Sequence, residues 1–442
     1  MRGFLFLQPK ISALDIAQLY QIYLQHPSVQ TDTRKLQQGD IFFALKGPNF
    51  NGNTLASQAL DQEASYAIID EEEYKIGDNC ILVPNVLNAL QQLAKYHRQQ
   101  FRIPFIAITG SNGKTTTKEL VTTVLSQKFT TYATEGNLNN HIGVPLTLLK
   151  IKSDAQVAVI EMGANHQKEV ESYCEIALPT HGIITNCGKA HIEGFGGEDG
   201  VRKGKGELYR FLKDNNGTVF RNVDLSYLEE MAKGISDQIL YGSANAKYIG
   251  RTLADEMFLK VAILSKNAEA TIHTNLVGNY NFPNVMVAVA VGLHFGISID
   301  EIKNGIESYQ PDNSRSQLLK IGNNTIILDA YNANPTSMRA AISNFAASPS
   351  GNKILWIGGM KEMGNDEKIE HEELVKFIEQ FEWKDVVLVG KEFESFRKNF
   401  RWFETSNEAA LAVKSNKPES TCILIKGSRG NRMENLLEAL KS

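Results

Sequence analysis

The chain has only four cysteines, Cys80, Cys174, Cys187 and Cys422, spread over 442 residues with no CxxC pair. That spacing excludes a disulfide-stapled secreted fold and reads as reduced thiols. An excess of one charge sign is also missing. The 46 basic and 50 acidic side chains leave a formal charge of -4, which gives no global electrostatic reason to expect a nucleic-acid partner. Long apolar runs are absent too. Met1 to Lys10 holds a brief patch, Phe4 to Leu7, before Pro9, too short for a signal-peptide core, and no stretch approaches the length of a membrane span. No internal repeat or low-complexity tract occurs. These absences together predict a soluble cytoplasmic protein without membrane insertion.

What is present is a chain of 42% apolar and 22% charged residues, long enough for two or three cores. Short β-like runs, Ile41 to Leu45 and Tyr66 to Ile69, precede a helix-like stretch from Asn85 to Arg98, which suggests a small α/β domain over residues 1–98. Over 99–310, the apolar runs Phe105 to Thr109, Val157 to Ile160 and Gly182 to Thr185 alternate with helical segments, as a parallel sheet with crossover helices requires. Over 311–442, Ile326 to Leu328, Ile354 to Ile357, Val386 to Val389 and Ile423 to Ile425 predict a third, doubly wound Rossmann-like α/β domain. The expected class is α/β in three domains.

The most informative stretch follows the run that ends at Thr109: Gly110, Ser111, Asn112, Gly113, Lys114, Thr115 and Thr116, leading into a helix. Glycines let backbone N–H groups face phosphate oxygens, the lysine adds a point charge, and the threonine hydroxyl can ligate Mg²⁺. The usual pattern places a glycine five residues before Gly113, where this chain has Ile108, so the loop is a shortened variant. ATP binding is the expectation.

Glu161 ends one strand and His191 follows another, and strand carboxyl ends are where α/β sheets place ligands. A lone acid or histidine there also serves as a solvated or capping group, so the residues by themselves leave both roles open. Lys205, within Arg202-Lys-Gly-Lys205-Gly-Glu207, reads on spacing alone as a solvated basic segment. Asn281 and Asn284 stand three apart on a predicted helix, where they suit either a purine edge or plain helix-surface polarity.

Three longer motifs, Thr109-Gly-Ser-Asn-Gly-Lys-Thr-Thr-Thr-Lys-Glu119, Glu135-Gly-Asn-Leu-Asn-Asn-His-Ile-Gly-Val-Pro145 and Val159-Ile-Glu-Met-Gly-Ala-Asn-His166, resemble the Mur ligases. The resemblance continues through Ala190-His-Ile-Glu-Gly-Phe-Gly196, Lys205-Gly-Glu207, Asp329-Ala-Tyr-Asn-Ala-Asn-Pro335 and Lys426-Gly-Ser-Arg429. The stretches around His191 and Tyr331 look like the branch that joins D-alanyl-D-alanine to UDP-N-acetylmuramoyl-tripeptide. They look less like the tripeptide-forming branch or folylpolyglutamate synthetase.

The resemblance implies an ATP- and Mg²⁺-dependent ligase of cell-wall precursor synthesis, a monomer whose partners are UDP-N-acetylmuramoyl-tripeptide and D-alanyl-D-alanine. Lys114 would hold phosphates; Thr115, Glu161 and His191 would serve metal ions; Lys205 would act as a carbamate that bridges them. Asn281 and Asn284 would face adenine, and Arg315 and Asp329 would approach ATP. Thr31, Asp32, Thr33, Arg34 and Lys46 match the UDP-binding region. Asn137, Asn139, Asn140, Tyr331, Asn332 and Asn334 fall in substrate-side motifs. Lys426, Ser428 and Arg429 would meet the dipeptide carboxylate, a role that a helix-capping loop would equally explain. The chain departs from the family pattern at Asn51-Gly52-Asn53, Ser314 and Gly359. A ligase for a single amino acid, or a nucleotide-binding regulator without ligase activity, are the competing readings.

Overall fold

The computed structural model describes residues 15–253, 257–265, 268–312, 314–349 and 351–442; the patch from Phe4 to Leu7 and Pro9 lie outside them. Among these residues the chain forms three α/β layers in sequence order, as expected for the class. The first contains β1 (Val29–Gln30), β2 (Ile41–Phe43), the hairpin β3 (Lys46–Gly47) and β4 (Phe50–Asn51), β5 (Tyr66–Ile69) and β6 (Cys80–Leu82). Strands β1-β2-β5-β6 make a parallel sheet. The helix Val86–Arg98 begins where Asn85 accepts a bond from the Asn88 N–H at 2.8 Å, an N-cap that accounts for its starting point.

The central layer contains β7 (Phe105–Thr109), β8 (Thr131–Ala133), β9 (Val157–Glu161), β10 (His181–Ile184), β11 (Thr218–Asn222), β12 (Asp237–Gly242), β13 (Tyr248–Leu253), β14 (Phe258–Ser265) and β15 (Ala268–Val277). Their order is β15-β14-β13-β12-β11-β10-β7-β9-β8. Strands β8 to β13 with β7 pair in parallel, whereas β14 joins β13 and β15 in antiparallel register. The antiparallel edge departs from a purely parallel expectation. β14 carries an apolar run, Val261 to Leu264, of which Val261 to Ile263 are buried, so its antiparallel pairing and not its composition sets it apart from the parallel strands.

β7 is buried along its whole length. It lies between β9 and β10, so the chain leaves it on one side to form β8 and β9 and returns on the other as β10. This reversal opens a crevice at the carboxyl ends of the three strands. The helix Lys114–Leu125 leaves β7 there and packs on the helix Phe282–His294, whose residues Val285 to Val291 are all buried. A helix that is apolar on every side belongs inside a core.

The third layer holds β16 (Gln317–Ile321), β17 (Asn324–Asp329), β18 (Lys353–Gly358), β19 (Asp385–Val389), β20 (Arg401–Phe403) and β21 (Cys422–Lys426), ordered β16-β17-β21-β18-β19-β20. All neighbours are parallel except the edge strand β16. Register places Asp329 opposite Lys426 at the carboxyl end of that sheet.

At the opposite end of the central sheet, the His181 ring stacks on Phe220 with centroids 6.2 Å apart and meets His294 at 5.7 Å. Burial, with His294 adding to it, pushes His181 down from 6.5 to about 4. The unfolded chain takes up a proton near 6.5 while the native ring stays neutral until about 4, so native stability falls as pH drops through that window. His181→Phe is expected to remove roughly 1–2 kcal/mol of the stability lost between pH 7 and 5. Urea unfolding at the two pH values checks it; an unchanged pH slope would contradict the assignment.

Candidate active site

The site begins with the turn after β7. Thr109 is fully buried and donates its hydroxyl to the Met162 carbonyl at 2.8 Å, which ties the end of β7 to the segment after β9. Gly110 has φ of 143°, and a Cβ there would lie 2.0 Å from the Thr185 hydroxyl oxygen, so no side chain fits. Gly113, with φ of 79°, turns the chain into the helix. The loop between them is pinned to the end of β10. Ser111 donates its N–H to the Asn186 carbonyl at 2.9 Å and its hydroxyl to the Gly188 carbonyl at 2.8 Å. The Asn112 N–H donates to Asn186 Oδ1 at 3.0 Å, and Thr185 donates to the Asn112 carbonyl at 2.7 Å.

Lys114 opens the helix and folds its amine back to the Gly110 carbonyl at 2.7 Å and the Ser111 carbonyl at 3.2 Å. Burial pushes that amine below the ordinary lysine value, and the nearby Glu161 carboxylate opposes the shift. Thr115 donates to Glu161 Oε1 at 3.2 Å and Asn139 donates to the same oxygen at 2.7 Å. Glu161 is 1% exposed, and its Oε2 is buried with no hydrogen-bond partner among the described residues. A buried carboxylate oxygen without a donor is costly and calls for a proton or a cation. Among the described residues no group of three or more His, Cys, Asp or Glu converges into an all-protein metal cage. One carboxylate and one hydroxyl, completed by ligand phosphates and water, is the kind of set Mg²⁺ accepts.

A cleft of about 670 Å³ covers this loop. Its lining includes Lys114, Thr115, Thr116, Asn137, Asn139, Asn140, Glu161, His191, Asn281, Asn284, Arg315, Asp329, Tyr331, Asn332 and Lys426. Residues predicted for several separate motifs therefore meet in one place. Asn284 donates to Asn281 Oδ1 at 2.9 Å, accepts from Thr117 at 3.2 Å, and Asn281 donates to the Val277 carbonyl at 2.9 Å. Asn281 stands just before the helix Phe282–His294 and Asn284 lies in its first turn, with the Asn284 amide beside Gly113.

From the third layer, Lys426 is 2% exposed and pairs with Asp329 at 2.5 Å. Asp329 also accepts the Ser316 N–H at 3.2 Å. Arg315 sits 3.6 Å above the Tyr331 ring and Arg429 lies 5.0 Å from it, so the ring is flanked by two cations at the cleft edge. Asn332 accepts the Ala333 N–H at 2.9 Å.

Other predicted residues do not line the cleft. Lys205 lies behind its wall, 1% exposed, donating to the Ala164 carbonyl at 2.9 Å with its amine 4.8 Å from the Phe195 ring. It is not a solvated residue, as spacing alone suggested; burial, with the charge of Lys114 adding to it, pushes its amine well below the ordinary lysine value. Glu207 caps the helix Glu169–Ala177, accepting N–H bonds from Lys168 at 2.6 Å and Glu171 at 3.0 Å. Ser428 is buried, accepting the Lys361 N–H at 3.1 Å. Asn334 caps the helix Pro335–Ala347.

The N-terminal residues fall in two sets of contacts away from the cleft. Thr31 and Thr33 flank Asp32, which chelates the exposed Arg34 guanidinium through two bonds of 2.8 Å. Lys46 pairs with Asp70 at 2.9 Å and Glu71 at 3.1 Å. The atypical Asn51 and Asn53 turn inward on the same carboxylates: Asn51 donates to Glu71 at 2.8 Å and Asn53 to Asp70 at 2.9 Å. Their role in this fold is to brace the hairpin.

Several residues at the site escaped sequence reasoning. Asn186 anchors the loop after β7, and Glu362 forms an ion-pair contact with His191 Nδ1 across the cleft. That contact holds the Glu362 carboxyl below its usual range. His191 and Glu362 both adopt left-handed backbone conformations, with φ of 53° and 63°. Lys189 reaches Glu370 of the third layer at 2.8 Å. None of these pairs has a sequence spacing that would reveal it.

Residues 108–292 match the family model for the Mur ligase middle domain, and residues 314–429 match that for the Mur ligase, glutamate ligase domain. The chain is 33% identical over 425 residues to the UDP-N-acetylmuramoyl-tripeptide--D-alanyl-D-alanine ligase of Bacillus subtilis, covering 93% of this chain and 92% of that one. It is 32% identical to the Escherichia coli protein of the same name, covering 94% and 93%. Among solved structures, MurF from Acinetobacter baumannii superposes with a TM-score of 0.87 at 30% identity, covering 97% and 99% of the two chains.

The loop geometry generates a direct test. An alanine at Gly113 would meet Asn284 Oδ1 at 2.7 Å in a backbone conformation that L-residues avoid. Gly113→Ala is expected to weaken ADP binding in the presence of Mg²⁺ by about tenfold or more. Calorimetric titration measures it, and an unchanged affinity would show that the turn is not the phosphate cradle.

Proposed function

The chain belongs to the Mur ligase family, and from that footing we propose that it joins D-alanyl-D-alanine to UDP-N-acetylmuramoyl-tripeptide at the expense of ATP, acting as a cytoplasmic monomer in peptidoglycan precursor synthesis. The observation that carries this reading is the junction after β7: Lys114, Thr115 and the half-unpaired Glu161 carboxylate under one cleft. Likeness to ligases of that name over nine-tenths of the chain supplies the substrates. No helix among the described residues is long and apolar enough to cross a membrane.

A carboxylate is a poor electrophile and cannot condense with an amine in water. The terminal carboxylate of the tripeptide attacks the γ-phosphorus of ATP, forming an acyl phosphate and releasing ADP. The amine of the dipeptide, arriving unprotonated, then attacks the acyl carbon; phosphate leaves and the amide nitrogen loses a proton. Two anions must approach in the first step, and the Lys114 amine with the loop N–H groups reduces their repulsion. Mg²⁺, held by Thr115 and Glu161, would neutralise further phosphate charge. Burial lowers the Lys205 amine and so favours the neutral form, which a carbamate with CO₂ would need, and His191 is the other residue proposed to serve a second ion.

Asn281 and Asn284 are proposed to meet the adenine, with Arg315 and Asp329 approaching the nucleotide from the third layer. Thr31 to Arg34 and Lys46 would meet the UDP end of the substrate, and Lys426, Ser428 and Arg429 the dipeptide carboxylate. Excluding water from the acyl phosphate requires the third layer to cover the loop. The contacts Asn279 to Asn344 at 3.0 Å and Lys189 to Glu370 at 2.8 Å hold it there.

The deciding experiment is mass spectrometry of the product from UDP-N-acetylmuramoyl-tripeptide, ATP and D-alanyl-D-alanine. A pentapeptide product is expected, formed with one ADP per bond, and Lys114→Ala should slow it at least about a hundredfold. Turnover of a single amino acid in place of the dipeptide would favour a different ligase branch. Absence of phosphate release with the full substrate set would favour a nucleotide-binding regulator.

A further inference from the structure

The amide of Asn334 is committed at both ends. Its Oδ1 accepts the Ser337 N–H at 2.9 Å, which caps the helix Pro335–Ala347. Its Nδ2 donates to Asn112 Oδ1, in the phosphate loop, at 2.7 Å. The cap settles which way the Asn334 amide faces, because only its oxygen can accept an N–H. Asn112 must then present its own oxygen to Asn334. That leaves Asn112 Nδ2 buried with no partner among the described residues, although the backbone of Asn112 is fully engaged with Thr185 and Asn186. An orphaned buried N–H₂ lining a phosphate loop needs an acceptor.

We propose that Asn334 is a positioning residue that couples docking of the C-terminal layer to nucleotide binding: by holding Asn112 Oδ1, it turns Asn112 Nδ2 into a donor for a phosphate oxygen. Asn334 itself makes no substrate contact. When the C-terminal layer moves away, the Asn112 amide is free to rotate and the donor is no longer fixed. Because binding couplings are reciprocal, nucleotide strengthens docking by the factor by which docking strengthens nucleotide binding. The inference rests on the reading that the loop binds ATP and ADP.

The test uses the full chain and calorimetric titration with ADP and Mg²⁺. Asn334→Ser keeps a good N-cap but is too short to reach Asn112. Asn334→Asp also keeps the cap and sets an acceptor against the Asn112 oxygen. Both are expected to weaken ADP binding by at least about fivefold, with the thermal midpoint of the ligand-free protein unchanged. In an Asn112→Ala background the Asn334 substitutions should have no further effect. In steady-state ligation, the KM for ATP should rise more than kcat falls. Equal ADP affinity in wild type and both variants overturns the proposal, as does the same loss with and without Asn112. A wild-type chain that binds no ADP removes the reading beneath it and the coupling with it.

Discussion

The site depends on the way the loop after β7 is held by the end of β10. The Ser111 N–H and both backbone groups of Asn112 are satisfied by Thr185 and Asn186, so the loop keeps its curvature through protein contacts alone. A glycine-rich turn left to itself would lose much conformational freedom on closing around an anion. Here that ordering is completed by folding, and Gly110 shows how tight the fit is, because the Thr185 hydroxyl fills the space of a side chain. Preorganised donors act on charge without rearranging at the moment of reaction.

Around this fixed centre the structure distributes chemistry by strand ends. The helix after β7 supplies Lys114 and Thr115, β9 supplies Glu161, and the segment after β10 supplies Asn186 and His191. The third layer contributes a second set, Arg315, Asp329, Tyr331 and Lys426, from the carboxyl side of its own sheet. Two parallel sheets thus face each other through the ends where ligands bind. Polar contacts between them include Asn112 to Asn334 and Lys189 to Glu370, the latter on the helix Glu367–Ile378. Apolar contact accompanies them, because Val277 of β15 is buried in the same cluster as Ile327, Met338 and Leu355 of the third layer.

Much of this was legible in the sequence, for physical reasons. Strand, glycine-bearing loop and helix in order declare a phosphate site, and a carboxylate closing the next buried strand is a natural partner for it. Lys205 was less legible. Its neighbours Arg202 and Lys203 suggest a solvated segment, yet the amphipathic turn of the helix Glu198–Lys205 sends Lys205 inward while Lys203 stays exposed. Asn186, Glu362 and Asn334 act through partners tens to hundreds of positions away, and no local pattern encodes a long-range pairing. Asn53 illustrates the opposite difficulty, where an unusual residue at a substrate-side motif turns out to be completely buried and occupied with Asp70.

The in-register pairing of Asp329 with Lys426 carries a consequence for how this chain can vary. Side chains alternate faces along a strand, so inserting or deleting one residue within β17 or β21 would send one member of the pair to the other side of the sheet. Those two segments tolerate changes of residue type far better than changes of length. Gaps among homologous chains should collect in the outer loops while the strands bearing the pair keep a constant count.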